Sequence, residues 1–546
     1  MVVPMRAAAR PAAKPLLAAA AIASPDRFGS AAAREVLEHG GNAVDAAVAT
    51  AFALAVTRPE AGNLGGGGLM TLYMNGRPYF LDYRERAPAR ASRDMYRDAT
   101  GAVVADASVI GCRAVAVPGT VAGLWEVHRR FGRLSWRADM APAIRYARDG
   151  FQPDTYLARM RDESLPDYAG KTNFARYFGG FGPGRTFRQP ELAATLARIA
   201  ARGREDFYDG ATARQIAAEM RRCGGLVTRG DLAAYRVKWR EPLVSSWQGM
   251  TVVTAPPPSS GGIALGQLLQ MKQALEPQFR GLPLNSARYI HLLAEIEKRV
   301  FADRAAYLGD PDFVSVPVQH LVDPAYLARR AQEVDATAIS ATMSVHAGAP
   351  EPHDTTHYSI VDRQGNAVAN TYTLNGSFGS GAVVEHAGFL LNNEMDDFAS
   401  APGAPNMYGV VGGEANAIAP GKRPLSSMTP TILLRDGRVV FVIGTPGGSR
   451  IFTWVFQVIV DVYDFHLPLP AAMAAARVHH QLLPENRIFL EPFAKPEPAA
   501  IEALRALGYN FEDQGWSGDM QAIQIEGTTP VAVADPRGDG VGITVP

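Results

Sequence analysis

The residues best suited to chemistry are two adjacent threonines, Thr355 and Thr356, which follow a proline-containing turn and open a β-patterned stretch. If the peptide bond between Asp354 and Thr355 is cut, Thr355 carries both a hydroxyl nucleophile and a free α-amine. A threonine hydroxyl inside a chain is a weak nucleophile, but an α-amine titrates at about 7.7–8.0 and can take its proton near neutral pH. A chain that is cut there would be a proenzyme.

The strand that begins at Thr355 is followed by a turn at residues 362–366, which suits a three-residue hairpin loop with a left-handed glycine. Counting back along both strands places Thr355 opposite Thr373 and His357 opposite Thr371. Opposed Cβ atoms lie about 4.5–5.5 Å apart, which is close enough for hydroxyl contact. We therefore predict a hydrogen bond between Thr355 and Thr373, although threonines are also ordinary components of strands.

Composition excludes several classes of function. The chain has 546 residues, 47% of them apolar, so it can bury a sizeable core. Lysine and arginine total 54, as do aspartate and glutamate, and the formal net charge is zero. A neutral chain lacks the long-range field that attracts nucleic acid or an anionic membrane, and no apolar run reaches the roughly 18 residues of a membrane span. We expect no nucleic-acid partner and no membrane span.

Residues 1–20 form an N-terminal extension with two interpretations. Three basic residues precede an apolar run at 16–23, which suits either a short secretory signal or a buried first strand. We favour the strand. A soluble protein is expected, with the cytoplasm favoured over the periplasm or secretion. Two cysteines, Cys112 and Cys223, allow either one disulfide or two unpaired core thiols.

Local patterns define several elements in the first part of the chain. Ala43 to Val56 is apolar nearly all round and predicts a buried helix. Two apolar runs around Asn75-Gly76 predict a hairpin. Gly65 to Gly68 lack the lysine and hydroxyl residue that complete a phosphate loop, so they indicate tight backbone packing.

The rest of the chain divides at Thr355. We predict that Ala141 to Glu333 is mostly helical and that strands dominate after Thr355. Helices are expected again near Pro468 to Ala476 and Pro498 to Leu507. Composition does not change at Thr355, so a cut there would leave two halves of one fold.

A set of short segments carries a resemblance to a known family. They are, in chain order, 40–47 (GGNAVDAA), 62–68 (GNLGGGG), 82–85 (DYRE), 256–262 (PPPSSGG), 307–311 (YLGDP), 355–359 (TTHYS), 365–368 (GNAV), 371–375 (TYTLN), 391–398 (LNNEMDDF), 424–428 (PLSSM) and 444–450 (GTPGGSR). In this order they resemble the γ-glutamyltranspeptidases, from about Ala21 to about Arg537. Any single glycine-rich piece would be weak, but the ordered set is specific.

The resemblance implies an α+β fold of the N-terminal nucleophile hydrolase type, a four-layer αββα sandwich built jointly by two subunits. Self-cleavage between Asp354 and Thr355 would give a large subunit of residues 21–354, after the extension, and a small subunit of residues 355–546. The implied activity is hydrolysis or transfer of γ-glutamyl groups from glutathione and related amides through a γ-glutamyl-Thr355 ester. Water, amino acids or peptides would be the acceptors, and no cofactor is implied.

The resemblance also implies roles for individual residues. The catalytic residues would be Thr355, the Thr373 that contacts it, and Gly447 and Gly448, whose backbone N–H groups would form the oxyanion hole. The substrate-binding residues would be Arg84, Ser426 and Ser427 for the α-carboxylate, Asn375, Glu394 and Asp397 for the α-ammonium, and Tyr408 on a lid loop from Pro402 to Gly413.

Each of these residues also has a structural interpretation. Arg84 could pair with a structural carboxylate, Ser426 and Ser427 could cap a turn, and Asp397 could lie at a solvated corner. Their joint occurrence favours the functional interpretation. Neither His353 and His357 nor His479 and His480 have the context of a zinc site, and we expect no catalytic metal.

Three hypotheses remain at this point. The first is a γ-glutamyl hydrolase and transpeptidase. The second is a β-lactam side-chain acylase for glutaryl-type amides, which would need Asn375, Glu394 and Asp397 less because its substrate has no ammonium. The third is a non-catalytic binding protein that never matures, against which the intact Thr355 argues.

Overall fold

The computed structural model of the protein describes residues 16–342, 355–399, 413–515 and 518–546. Three residues singled out from the sequence, His353, Asp354 and Tyr408, lie outside these ranges.

Sixteen strands are defined in the described ranges. They are β1 (Ala20–Ser24), β2 (Gly67–Met74), β3 (Arg77–Asp82), β4 (Lys238–Arg240), β5 (Leu243–Trp247), β6 (Met250–Thr254), β7 (Thr356–Val361), β8 (Ala367–Thr373), β9 (Thr431–Arg435), β10 (Arg438–Gly444), β11 (Val478–His479), β12 (Arg487–Leu490), β13 (Asn510–Asp513), β14 (Gln521–Glu526), β15 (Thr529–Ala534) and β16 (Val541–Val545).

Eighteen α-helices are defined in the same parts of the chain. They are α1 (Arg27–Glu38), α2 (Ala43–Thr57), α3 (Thr120–Phe131), α4 (Trp136–Asp149), α5 (Thr155–Tyr168), α6 (Phe174–Phe178), α7 (Pro190–Arg202), α8 (Arg204–Tyr208), α9 (Ala211–Cys223), α10 (Arg229–Ala234), α11 (Gly261–Ala274), α12 (Glu276–Phe279), α13 (Ala287–Tyr307), α14 (Val318–Leu321), α15 (Pro324–Gln332), α16 (Arg450–Tyr463), α17 (Leu469–Ala474) and α18 (Pro498–Leu507).

Two large antiparallel sheets form the centre of the molecule. The first has seven strands in the order β16-β1-β7-β8-β2-β3-β4, and the second has six in the order β15-β14-β10-β9-β6-β5. Both sheets contain strands from before and from after residue 355, so neither half of the chain can complete a sheet alone. A third, small sheet joins β11, β12 and β13.

Three buried layers hold the sheets and helices together. Between the two sheets lie small and branched side chains from both, among them Ala369, Ile432 and Val442. The other face of the seven-stranded sheet packs on helices through residues such as Phe52 and Ile360. The other face of the six-stranded sheet packs on α11, α13 and α16. The order helix, sheet, sheet, helix confirms the predicted αββα sandwich.

The hairpin between β7 and β8 has the predicted register. His357 pairs with Thr371, and the Asp362 backbone N–H donates to the Asn366 carbonyl at 2.9 Å. Gly365 takes the left-handed conformation, with φ +76°. The hairpin at Asn75-Gly76 is confirmed as well, because both residues have positive φ, as a two-residue type I′ turn requires.

Several other expectations from the sequence are met. The apolar run at 16–23 leads into the buried strand β1 and thus supports the strand interpretation. The predicted buried helix is α2, every residue of which is buried. Of the two alternatives for the cysteines, the disulfide is present, and it joins Cys112 to Cys223.

One prediction about the order of elements was wrong. Strands are expected to dominate between Thr355 and Pro468, but Arg450 to Tyr463 form α16. Its branched and aromatic residues are typical of strands; they form a helix here because nearly the whole surface is buried between the six-stranded sheet and neighbouring helices. The region from Ala141 to Glu333 is mostly helical, but it also contributes β4, β5 and β6 to sheet edges.

No helix in the described ranges is both long enough and apolar enough to cross a membrane.

Candidate active site

The predicted nucleophile lies at the start of β7, on the face that points between the two sheets. The Thr355 hydroxyl donates to the Thr373 hydroxyl oxygen at 3.4 Å, as the register count predicts. Thr373 Oγ1 also accepts a hydrogen bond from the Asn375 backbone N–H at 2.8 Å, so its position is fixed from the other side.

The glycine-rich segment 62–68 supports this pair from behind. A Cβ atom on Gly66 would lie 2.0 Å from the Thr373 carbonyl oxygen, and one on Gly65 would lie 2.2 Å from the Leu390 carbonyl oxygen. Asn63 donates its side-chain N–H to the Thr373 carbonyl at 2.9 Å. The glycines therefore allow close backbone packing at the end of β8, which is the role expected for them.

A loop and a short 3₁₀ helix at Glu394–Asp397 form one wall of the site. The Asn375 side-chain amide donates to the Asn393 carbonyl at 3.1 Å, and the Gly376 N–H donates to the Asn393 side chain at 2.9 Å. These bonds attach the wall to the end of β8. Asn375 itself has φ +77°, a left-handed conformation that asparagine tolerates better than most residues.

Arg84 is the centre of a buried charge cluster. Its Nη1 lies 2.5 Å from Glu394 Oε2 and 3.5 Å from Glu85 Oε2, and its Nη2 pairs with Asp397. Its side chain is 1% exposed. The guanidinium also donates to the Pro424 and Leu425 carbonyls. Arg84 thus contacts both of the carboxylates that the family resemblance assigns to the substrate ammonium.

Burial and crowding shift the pKa values of this cluster. Burial raises the pKa of Glu85 to about 8, although Arg84 opposes the shift. Burial also raises the pKa of Glu394 well above its usual range, again against Arg84 and with repulsion from Glu85 and Asp397. Burial and repulsion therefore favour the protonated forms of Glu85 and Glu394.

Ser426 and Ser427 form the opposite wall. Both are buried, and they are held by the segment before α11: the Ser426 N–H donates to the Pro258 carbonyl, and the Ser260 N–H and hydroxyl both donate to the Ser426 carbonyl. This attachment leaves the Ser426 and Ser427 side chains in the lining of the same pocket as Arg84.

Gly447 and Gly448 precede α16 and complete the site. Their φ values are +142° and +52°, both in the range that favours glycine. A Cβ atom on Gly447 would lie 3.0 Å from the Trp454 ring. Gly448 and Thr355 both line the pocket.

The structure brings most of the predicted site residues together around one pocket. Its lining comprises Arg84, Thr355, Thr373, Asn375, Asp397, Ser426, Ser427, Met428, Gly448 and Ile451. Glu394 contacts this group through Arg84, and Gly447 through the adjoining turn. Tyr408 lies outside the described residues.

Two charged residues near the pocket were missed by the sequence analysis. Glu85 directly follows Arg84 and shares its guanidinium. Arg304 lies in the last turn of α13 and contacts Ser427. The available signal was a basic residue on a helix that is otherwise buried, but sequence alone does not show what such a residue faces.

Two clusters elsewhere that contain a histidine make hydrogen bonds within the fold. His357 is buried and bonds the hydroxyls of Thr371 and Ser359. Asp45, His128 and Asp139 are close enough to ligate an ion, yet the Asp45 carboxylate already accepts hydrogen bonds from three backbone N–H groups, of Asn42, Arg133 and Leu134.

Comparison with known proteins assigns the chain to a family. A family model described as gamma-glutamyltranspeptidase matches residues 29–545. The glutathione hydrolase proenzyme of Pseudomonas aeruginosa is 59% identical over 526 residues, which are 96% of this chain and 94% of that protein.

Solved structures show the same fold. The gamma-glutamyltranspeptidase of Pseudomonas nitroreducens complexed with L-DON is 57% identical, with a TM-score of 0.60 over 60% of this chain and 98% of that one. A cephalosporin acylase from Bacillus halodurans is 26% identical, with a TM-score of 0.84 over 100% of this chain and 99% of that one.

Proposed function

Because the chain belongs to the gamma-glutamyltranspeptidase family, we propose that it is a proenzyme that cuts itself before Thr355 and then hydrolyses or transfers γ-glutamyl groups. The donors would be glutathione and related γ-glutamyl amides, and the acceptors water, amino acids or peptides. The subunits would be residues 21–354 and 355–546.

Self-cleavage uses the same hydroxyl as turnover. Thr355 Oγ1 attacks the carbonyl carbon of Asp354, the C–N bond breaks, and the proton passes to the departing nitrogen, which becomes the α-amine of Thr355. Water then hydrolyses the resulting ester. The product has both the nucleophile and its base on one residue.

In turnover, Thr355 Oγ1 attacks the γ-carbonyl carbon of the substrate while the α-amine takes the hydroxyl proton. The N–H groups of Gly447 and Gly448 stabilise the oxyanion. The C–N bond breaks, the leaving amine receives the proton, and a γ-glutamyl ester remains on Thr355. Water or an acceptor amine attacks that ester and restores the hydroxyl, whose orientation Thr373 maintains.

Recognition of the glutamyl end would use the two walls of the pocket. Arg84, Ser426 and Ser427 supply donors for the α-carboxylate, and Asn375, Glu394 and Asp397 supply acceptors for the α-ammonium. Tyr408 is proposed to cover the bound substrate from the lid loop.

One observation carries the proposal: the 3.4 Å contact between the Thr355 and Thr373 hydroxyls lies in the same pocket as Arg84, Ser426 and Ser427. The proposed nucleophile and the residues proposed to bind the carboxylate line one pocket, which suits a substrate with a reactive carbonyl and a distant carboxylate.

The second candidate is hydrolysis of glutaryl amides, since a cephalosporin acylase shares the fold over the whole chain. A glutaryl group has the carboxylate but no ammonium. Two carboxyl groups and an amide beside the pocket, those of Glu394, Asp397 and Asn375, favour the zwitterionic γ-glutamyl group instead.

Maturation is tested by denaturing gel electrophoresis with N-terminal sequencing. The wild type should give two bands, the smaller beginning at Thr355, and Thr355→Ala should give one. Thr356→Ala is the matched control, because it removes the neighbouring hydroxyl on the opposite strand face and should still be cut. Full activity in an uncut chain would contradict the proposal.

Substrate class is tested with two chromogenic anilides, γ-glutamyl and glutaryl. We expect kcat/KM to be at least about tenfold higher for the γ-glutamyl anilide, because a charge-assisted hydrogen bond to the ammonium contributes roughly 1.5–3 kcal/mol. A preference for the glutaryl anilide would establish the acylase alternative.

A further inference from the structure

Arg304 lies in the last turn of α13 and contacts the pocket wall formed by Ser426 and Ser427 from behind. Its Nε donates to Ser260 Oγ at 3.0 Å, and its Nη2 donates to Ser427 Oγ at 3.2 Å. Its side chain and both serines are buried. One guanidinium therefore connects a helix of the proposed large subunit with a pocket residue of the small one.

The direction of these hydrogen bonds fixes the serine hydroxyls. An arginine side chain has donors only, so both serine oxygens must act as acceptors toward it. Ser260 sends its own proton to the Ser426 carbonyl at 2.8 Å. Ser427 cannot send its proton to Arg304; its oxygen also lies 3.4 Å from Ser260 Oγ, and its side chain lines the pocket. Arg304 thus fixes the position of the Ser427 hydroxyl oxygen in the pocket wall.

Arg304 also places positive charge behind this wall. Burial lowers the pKa of Arg304 to about 10 while the Asp397 carboxylate acts in the opposite direction, so the group is charged at neutral pH. The other cation of the pocket, Arg84, shares its charge among Glu85, Glu394 and Asp397. A second guanidinium would compensate for that sharing when a substrate carboxylate binds.

We propose that Arg304 is a positioning residue for the α-carboxylate of the substrate, acting through the Ser427 hydroxyl. The proposal rests on the proposed function, since it names a residue that supports recognition of the same γ-glutamyl group.

The test compares Arg304→Gln with wild type on three anilides: γ-glutamyl, glutaryl and 4-aminobutyryl. The first two have the carboxylate and the third lacks it. Loss of a charge-assisted hydrogen-bond network should raise KM about 10–100-fold for the first two, with kcat changed less than about threefold. Single-turnover kcat/KM for the 4-aminobutyryl anilide should change less than about threefold.

Two further variants separate positioning from general damage. Arg304→Lys keeps the positive charge but not the planar guanidinium that donates to two serines at once. It should therefore restore part of the affinity that Arg304→Gln loses. Arg299→Gln is the matched control: Arg299 is buried on the same helix but bonds Glu295 and Ser340, away from the pocket, so KM should stay near the wild-type value.

A double-mutant cycle that combines Arg304→Gln with Ser427→Ala tests whether Arg304 acts through Ser427. If Arg304 acts through Ser427, the combined KM increase should be no larger than that of the more severe single variant. If Arg304→Gln does not mature, Ser260→Ala replaces it in the cycle, since it removes the other hydroxyl that Arg304 holds.

Equal loss on all three anilides, or unchanged KM for the first two, would overturn the role of Arg304. Failure of the wild type to mature or to use the γ-glutamyl anilide would instead overturn the proposed function, so the two failures are distinguishable.

Discussion

At the scale of single residues, the pocket is organised by the sharing of one buried guanidinium. Arg84 contacts three carboxyl groups and two backbone carbonyls while almost fully buried. Removing one member of such a cluster leaves the others uncompensated, which commonly costs about 3–5 kcal/mol. Substitutions that keep size and change only charge are therefore the informative ones here.

Glu85 should make substrate affinity depend on pH. Its pKa of about 8 means that it is neutral near pH 7 and becomes a competitor for Arg84 above pH 8. We expect KM for the γ-glutamyl anilide to rise by up to about tenfold per pH unit above 8 in the wild type. In Glu85→Gln this part of the rise should disappear, while titration of the substrate ammonium affects both enzymes equally.

The raised pKa of Glu85 should also make the stability of the fold depend on pH. Because the folded-state pKa of Glu85 lies above its usual value, its contribution to stability is complete below the unfolded-state pKa and is lost as pH rises through about 8. Thermal midpoints of wild type and Glu85→Gln should therefore differ in their slopes between about pH 5 and 8. Identical slopes, together with identical KM profiles, would show that Glu85 does not titrate in this range.

Glu394 should set the selectivity between ammonium-bearing and plain acyl groups. Its carboxyl group lies 2.5 Å from Arg84 Nη1, so Glu394→Gln frees Arg84 from an ionisable partner and leaves the substrate ammonium only a neutral amide oxygen as acceptor. We expect the ratio of kcat/KM for γ-glutamyl over glutaryl anilide to fall about tenfold. Asp396→Asn, on the same 3₁₀ helix but bonded to Ser108, is the matched loss of charge and should leave the ratio unchanged.

Contacts between paired strands could be predicted from the sequence. Contacts made by the packing of distant segments could not. The contact of Thr355 with Thr373 follows from counting residues along two strands, because the turn fixes the register. The contacts of Glu85 and Arg304 depend on how segments far apart in the sequence pack together. The periodic pattern of one segment does not show which other segment packs against it.

At the scale of elements, too, local patterns could be read from the sequence, whereas the effects of tertiary packing could not. The helix α2 and the hairpin of β2 and β3 were predictable because their patterns are local. The helix α16 was not, since its residues favour strands and only its burial between a sheet and other helices selects the helix. That error matters for the site, because α16 begins at the turn of Gly447 and Gly448.

The disulfide should stabilise an element that supports the active site. Cys112 ends a segment in which Ser108 donates to Asp396 and the Val109 carbonyl accepts from Asn393, so this segment supports the wall that holds Glu394 and Asp397. The bond closes a separation of 111 residues to α9. We expect the double variant Cys112→Ser/Cys223→Ser to be less stable by about 2–4 kcal/mol and less active by about three- to tenfold.

The measurement is the thermal midpoint and kcat/KM with and without reductant. Reduced wild type should match the double variant, and the double variant should not respond to reductant. An equal response of both proteins would place the effect elsewhere.

At the scale of the whole molecule, the cut proposed at Thr355 leaves two interleaved chains. In the seven-stranded sheet, β1 pairs with both β7 and β16, and β8 pairs with β2, so each chain fills gaps in the other. Separation would expose unpaired backbone along several strands as well as the layer between the sheets. We therefore expect the subunits to remain together under native conditions and to separate only as they unfold.

Because the two chains hold together, their unfolding should depend on protein concentration. For two chains that dissociate as they unfold, the denaturation midpoint falls when the protein is diluted, because dilution favours the separated products. The cut wild type should show this fall over about a hundredfold dilution, and uncut Thr355→Ala, which unfolds as one chain, should show less or none. Midpoints measured by fluorescence in denaturant at several protein concentrations give the comparison. The same concentration dependence in both proteins would mean that oligomer dissociation, rather than the cut, limits unfolding.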